Sequence, residues 1–163
     1  MKKIALFAFA IFLMLSGVSL AVDSSWTDGT LAQIDNAGKF MKLSYTFTAH
    51  SSTAAIITKT PSDDEYREIQ AHPLLCFVAT DPGSTGPTNG AWDVTLVGAT
   101  TANTDITGGA AANLSSTVGQ IYQTKDAAGN YTCVPIIENF AITITGNAVN
   151  SATATVTLVF YKP

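Results

Sequence analysis

The side chains in this sequence that could bind a metal ion or act in catalysis are mainly carboxylates. Four of them stand within one short segment: Asp63, Asp64, Glu65 and Glu68. Clustered oxygen ligands can bind calcium, but this segment lacks the glycine-turn spacing of a dedicated calcium loop. Acidic side chains also stabilise the first turn of a helix. We therefore predict that the cluster is the solvated start of a short helix, and we predict no metal site.

Three further carboxylates would provide general acid and base chemistry if the fold brought two of them together: Asp93, Asp105 and Glu138. Asp93 has an ordinary explanation, because it occupies the polar phase of an alternating pattern. His50 and His72 are far apart in the sequence, and we expect surface or turn-capping roles for both. The sequence also contains no phosphate-binding glycine loop and no zinc-protease or serine-hydrolase motif. We predict a protein without catalytic residues or cofactors.

The N-terminus has the three parts of a secretory signal peptide. Two lysines follow Met1, an uncharged apolar run covers 4–15, and small residues precede a cleavage point after Ala21. The apolar run is shorter than the roughly 20 residues that a transmembrane helix needs, so a retained anchor is the weaker alternative. We predict a signal peptide over 1–21 and a mature chain, 22–163, that is secreted to the periplasm, the cell surface or the medium and has no membrane contact.

The charge of the chain excludes one class of partner. Eight basic residues stand against twelve acidic ones, which gives a net charge of -4. A protein of this charge offers no basic field to neutralise phosphates, so we predict that it does not bind nucleic acid.

The chain has two cysteines, Cys76 and Cys133. Because disulfides persist in exported proteins, we predict that these residues pair. Two buried, unpaired thiols are the main alternative, since a free cysteine behaves as a small apolar side chain. A catalytic thiol is disfavoured, because neither cysteine has a neighbouring cation in the sequence to stabilise its thiolate.

Alternation of apolar and polar residues by two predicts several strands. The segments with this pattern, or with a continuous apolar run, are 41–47, 74–79, 92–96, 140–145 and 152–161. Segment 74–79 is apolar on both faces, which favours a central strand. Trp92 is in phase with the apolar side of its segment, so we place it in the core. In 152–161 the polar side is rich in threonine, whose branched side chain suits a pleated sheet.

Turn residues separate these segments, at 35–38, 126–130 and 146–150. The segment 61–69 is the one helical candidate. We therefore predict an all-β protein, an antiparallel β-sandwich of Greek-key or jelly-roll-like order with one short surface helix, forming a single domain over 22–163. We also predict that the short 146–150 turn folds the last strand back on 140–145 as a hairpin.

Candidate binding residues lie in two regions. Trp26 stands among small polar residues, where an exposed ring would stack on a sugar or on a partner protein. The other region is the loop 98–117, which is built almost entirely from small residues and contains three polar candidates: Asn103, Asp105 and Asn113. This loop is either a binding region or a packed structural connection. Asn113 also begins a glycosylation acceptor pattern, so a glycan is a further candidate partner.

The chain resembles a known group of proteins in four short motifs and in its threonine-rich final strand. The motifs are Thr80-Asp81-Pro82-Gly83, Trp92-Asp93-Val94-Thr95-Leu96, Thr107-Gly108-Gly109-Ala110 and Asn113-Leu114-Ser115. In these the chain resembles small, mostly uncharacterised β proteins encoded in phage and prophage structural clusters. The resemblance implies a structural or binding role in a virion-type or cell-surface assembly, with a protein partner or with copies of itself, and it implies no catalytic residue.

A second resemblance is to exported fimbrial subunits that assemble by donated strands. Gly146 and Tyr161 occupy roughly the places of a glycine and a near-terminal tyrosine in the last strand of such subunits. Their cysteines usually bridge the first strands, whereas Cys76 and Cys133 come later. A small secreted enzyme or carbohydrate-binding protein is the remaining alternative, and an adhesin-like role accompanies the fimbrial one.

Overall fold

The computed structural model describes residues 23–99 and 105–163. The predicted signal peptide and Asn103 lie outside these residues. In chain order, the described elements are β1 (Ser25–Trp26), β2 (Thr30–Gln33), β3 (Phe40–Thr48), α1 (Asp63–Ala71), β4 (Leu74–Pro82), β5 (Asp93–Gly98), β6 (Gln120–Gln123), β7 (Val134–Pro135), β8 (Phe140–Thr145) and β9 (Thr153–Tyr161).

The strands form two antiparallel sheets packed face to face. The larger sheet has the order β1-β3-β9-β4-β6, with β2 also paired to β3 and β7 also paired to β4. The smaller sheet consists of β5 and β8. The predicted all-β sandwich with one short helix is therefore confirmed. The apolar segment at 74–79 lies in a central strand, as its two apolar faces predict.

The final strand, β9, lies in the middle of the larger sheet. It pairs with β3 from Phe40 opposite Tyr161 to Thr48 opposite Thr153, and its other edge pairs with β4. Val156, Leu158 and Phe160 have no exposed surface, which confirms the predicted apolar side of this strand. The chain therefore supplies the central strand of its own sheet.

The predicted hairpin between 140–145 and the last strand is wrong. β8 pairs with β5, whereas β9 pairs with β3 and β4, so 146–152 carries the chain from one sheet to the other. Gly146 permits this crossing because its φ is +73° and a Cβ there would clash with the carbonyl oxygen of Ala91. The apolar sides of β8 and β9 then face each other across the core, where a hairpin would have placed both in one layer.

The core fills the space between the two sheets. Its largest member is Trp92, which is fully buried as predicted and donates its Nε1–H to the carbonyl oxygen of Ser115 at 3.1 Å. Phe47 packs edge-on against the Trp92 ring with 6.0 Å between centroids. This ring pair joins the larger sheet to the segment that precedes the smaller one.

The predicted solvation of the acidic cluster is wrong for one residue, Glu65, because α1 packs on the larger sheet. Ser62 caps the helix and forms a capping box with Glu65, whose side chain is buried and accepts a hydrogen bond from the Tyr45 hydroxyl at 2.9 Å. His72 is buried and is the C-cap residue of α1, with its ring nitrogens 3.2 and 3.1 Å from the carbonyl oxygens of Glu68 and Gly38, so of its two predicted roles the capping one is confirmed and the surface one is wrong. Asp63, Asp64 and Glu68 are exposed, as predicted.

The buried carboxylate of Glu65 is held ionised. Burial by itself raises the pKa of this group, but hydrogen bonds from the Ser62 backbone and the Tyr45 hydroxyl, with the nearby charge of Lys59, outweigh burial and lower the pKa below its ordinary value. Burial and the same carboxylate raise the pKa of Tyr45 well above its usual range, so its hydroxyl remains a donor.

We expect Glu65→Gln to lower the free energy of unfolding at pH 7 by about 1 to 3 kcal/mol, the usual range for hydrogen bonds to a charged group. A pKa that is lower in the folded state adds stability above the pKa of the unfolded chain, near 4.3, and this part is lost as the pH falls through the folded value. The gap between wild type and variant, measured by urea unfolding, should therefore shrink towards pH 3. Glu68→Gln, an exposed change on the same helix, is the control. A stability gap of equal size at pH 7 and pH 3 would contradict the conclusion that Glu65 is ionised in the folded protein.

Candidate binding surface and cavity

Trp26 is half-buried rather than exposed, which corrects the sequence-based expectation. Its ring packs edge-on against Tyr45 and Phe47, with centroids 6.3 and 5.3 Å away, and its Nε1–H donates to the carbonyl oxygen of Ile57. The ring therefore closes one end of the core. Sequence context could not show this packing, because the three partner residues come from other parts of the chain.

The described part of the small-residue loop packs against β5. The carboxylate of Asp105 accepts hydrogen bonds from the backbone N–H groups of Leu96, Thr107 and Gly109 at 3.1, 3.0 and 2.8 Å, and from the Thr107 hydroxyl at 2.6 Å. Further along, the N–H of Val94 donates to the carbonyl oxygen of Ala111 at 2.9 Å. Of the two predicted interpretations, these contacts favour a packed connection that Asp105 shapes.

Asn113 has a positive φ of 54°, and its exposed side chain stands next to the fully buried Leu114. Its backbone N–H donates to the carboxylate of Asp93 at 2.7 Å. Through this hydrogen bond, Asp93 holds the loop to the start of β5. The third polar candidate of this loop, Asn103, falls outside the described residues.

Two of the three carboxylates considered for catalysis line the same cavity. Asp105 and Glu138 line one cavity of about 290 Å³, whereas Asp93 does not. The apolar lining consists of Ile106, Ala127, Val134, Pro135 and Ile137, and the charged lining consists of Asp105, Lys125, Asp126 and Glu138. The lining is thus mainly apolar with a few charged groups, which is the usual composition of a binding pocket.

Short connections hold the cavity walls in place. Cys133 precedes β7 and forms a disulfide with Cys76 of β4, as predicted. The buried hydroxyl of Thr124 lies 2.9 Å from the carbonyl oxygen of Leu75 and also contacts that of Thr132, so it joins both sides of the 126–130 turn to β4. The sequence alone did not reveal the cavity, because its walls come from three separate segments.

Two of the charged side chains at the cavity, Asp126 and Lys125, interact with residues close to them in the sequence. Backbone and side-chain N–H groups of Asn130, together with the backbone of Ala128 and Gly129, lower the pKa of Asp126, which is therefore ionised at neutral pH. The ammonium of Lys125 lies 5.1 Å from the centre of the Tyr131 ring, a cation–π distance.

Of the seven large apolar side chains that are exposed in the described residues, four lie in or close to β6 and β7, which follow each other along one edge of β4. Val118, Ile121, Tyr131 and Ile137 are 61%, 75%, 67% and 83% exposed, and we call this set the β6–β7 surface. Large apolar side chains concentrated on one side of a protein mark interaction sites more often than isolated ones do.

The edge strands of the two sheets differ in how well they are protected against pairing with another chain. The N–H groups of Lys59 and Ile142 each donate to the other's carbonyl oxygen along β8, and the 105–114 segment lies along β5. By contrast, β6 pairs with β4 on one side and with no strand on the other within the described ranges, and its sequence, Gln120–Gln123, carries no charge. An uncharged edge lacks the usual protection against pairing with another chain.

Within 23–99 and 105–163, no group of three or more His, Cys, Asp or Glu side chains is placed to hold a metal ion. The described helix is neither long nor apolar enough to cross a membrane. Comparison of the chain with protein-family models, with curated proteins and with solved structures gives no match.

Proposed function

We propose that this protein is a secreted, non-catalytic binding module of an extracellular, cell-surface or virion-type assembly, and that it contacts a protein partner through the β6–β7 surface. The observation that carries the proposal is the exposure of Ile121 on an uncharged edge strand, with Ile137 exposed just after β7, which pairs with the same edge of β4. The three-part N-terminus and the Cys76–Cys133 disulfide support export.

Two of the three carboxylates at the cavity are held by hydrogen bonds within their loops, which supports a non-catalytic role for these two. Asp105 directs both of its oxygens to backbone N–H groups and to the Thr107 hydroxyl, and Asp126 directs its oxygens to the 128–130 turn. Carboxylates held in this way shape loops, whereas a general acid or base needs a lone pair or proton directed at the substrate. The central position of β9 argues against the fimbrial alternative, because a subunit completed by a donated strand lacks a strand of its own sheet.

A photo-cross-linking amino acid placed at position 121 or 137 tests the proposal in the organism that makes the protein. We expect each site to give an adduct of one defined mass, since both side chains lie on the proposed contact surface. The control is the same label at Ile34, which is 53% exposed in the segment between β2 and β3. Equal adducts at position 34, or none at 121 and 137, would contradict the proposed surface. Changes at these exposed positions should leave the free energy of unfolding within about 0.5 kcal/mol of wild type.

A further inference from the structure

The cavity beside β7 has the size and surface of a small binding site. Its volume of about 290 Å³ is that of about ten water molecules, and Ile106, Val134 and Ile137 supply apolar walls. Such walls favour an apolar group, because burying apolar surface releases water from both sides. Ile137 belongs to the β6–β7 surface as well, so an occupant of the cavity lies next to the proposed partner contact.

The charges around these walls are predominantly negative. Asp105, Asp126 and Glu138 supply three carboxylates, and Lys125 supplies the one cation of the lining. The Tyr131 ring that the Lys125 ammonium contacts is neutral, so this ammonium keeps its charge, and three carboxylates against one ammonium leave the described lining net negative. The negative net charge of the whole chain adds to this field.

The hydrogen bonds that Asp105 accepts do not neutralise its charge, so the negative lining still favours a cation. The oxygens of Asp105 accept from three backbone N–H groups and one hydroxyl, which are neutral donors, so the carboxylate keeps its full charge. A fixed negative charge next to an apolar wall attracts a cation more strongly than the same charge in bulk water, because the effective dielectric constant is lower there.

We infer that this cavity binds an alkylammonium group, with the carbon chain against Ile106, Val134 and Ile137 and the ammonium at the carboxylates. This inference rests on the proposed binding function and names the chemistry of the partner. The side chain of a lysine on a partner protein and a free aliphatic amine both present this group. An anionic ligand of the same shape would meet like charge, which discriminates strongly against it.

Titrations of the mature chain with hexylammonium, hexanol and hexanoate, followed by amide NMR shifts, test the inference. We expect saturable shifts confined to residues around 105–108 and 134–138, with hexylammonium binding most tightly and hexanoate most weakly. Glu138→Gln should weaken hexylammonium binding by about two- to fivefold, the effect of one partly exposed charge pair, and leave hexanol binding unchanged. Ile137→Ala should weaken both ligands, because it removes part of the apolar wall.

The control variant is Glu68→Gln, which removes one carboxylate from an exposed site on α1 and should change neither ligand. A blocked lysine peptide distinguishes the two sources: tighter binding of the peptide than of hexylammonium indicates a protein partner, and the reverse indicates a free amine. Equal affinities for hexylammonium, hexanol and hexanoate, or shifts spread over the whole chain, would overturn the inference. If either of these two results were obtained while position 121 still formed its adduct, the proposed function would stand and only the inferred alkylammonium site would be refuted.

Discussion

Truncation after Asn150 is expected to unfold the protein. It removes β9, which lies between β3 and β4 and buries Val156, Leu158 and Phe160 completely. Burial of three such side chains contributes about 5 to 9 kcal/mol, a large part of the stability of an ordinary domain. Both neighbouring strands would also lose their hydrogen-bonding partner along one edge. Far-UV circular dichroism and sedimentation of the purified chain 22–163 measure the loss of structure.

Truncation after Tyr161 is the matched control, because it leaves β9 intact and removes one main-chain hydrogen bond, from Lys162 N–H to the carbonyl oxygen of Lys39. This shorter deletion should remain folded. A synthetic peptide covering 151–163, added in excess, should restore structure to the chain that ends at Asn150, because the empty position between β3 and β4 fits this strand alone in register. A chain that stayed folded and monomeric without β9 would show that the central strand is dispensable.

Removal of the disulfide is expected to lower the free energy of unfolding by about 4 kcal/mol. The bond joins residues separated by 57 positions, and cross-linking a loop of this length restricts the unfolded chain by about that amount. The test variant is Cys76→Ala with Cys133→Ala, since alanine avoids placing a hydroxyl at the buried position of Cys76. Urea unfolding of variant and wild type measures the difference.

A reducing agent supplies the control for this experiment. It should destabilise the wild type by about as much as the double substitution and should leave the variant unchanged. We also expect thiol titration of denatured, unreduced wild type to detect no free thiol. Two reactive thiols per chain would contradict the pairing of Cys76 with Cys133.

The period-two pattern predicted β3, β5, β8 and β9 because each of these strands has one face on the core; it did not predict the short strands β1, β2, β6 and β7. It predicted 152–161 most clearly, and the same pattern placed Trp92 correctly in the core. The pattern could not assign β8 and β9 to different sheets, because alternation gives the faces of a strand and says nothing of its neighbours. A short turn such as 146–150 suits a hairpin and a crossing between layers equally well.

The contacts of individual polar side chains were harder to predict. Glu65 and His72 are buried because α1 lies on the larger sheet, and their burial follows from a tertiary contact that the acidic composition of the segment does not reveal. One signal was present: Ser62 and Glu65 have the spacing of a capping box, which assigns Glu65 a specific partner. The cavity had no such signal, because Asp105 and Glu138 belong to segments that line the same cavity only in the folded chain.

The order of strands along the chain has a consequence for the timing of folding. β3 and β4 are neighbours of the same central strand, and that strand follows both in the sequence by more than seventy residues. Chains dominated by such distant pairings fold slowly, because the entropy of a long loop is lost before the contacts are gained. The larger sheet therefore cannot assemble until β9 has been synthesised. A chain with this delay lacks its larger sheet while it is made, and the export proposed above requires such an incompletely folded state.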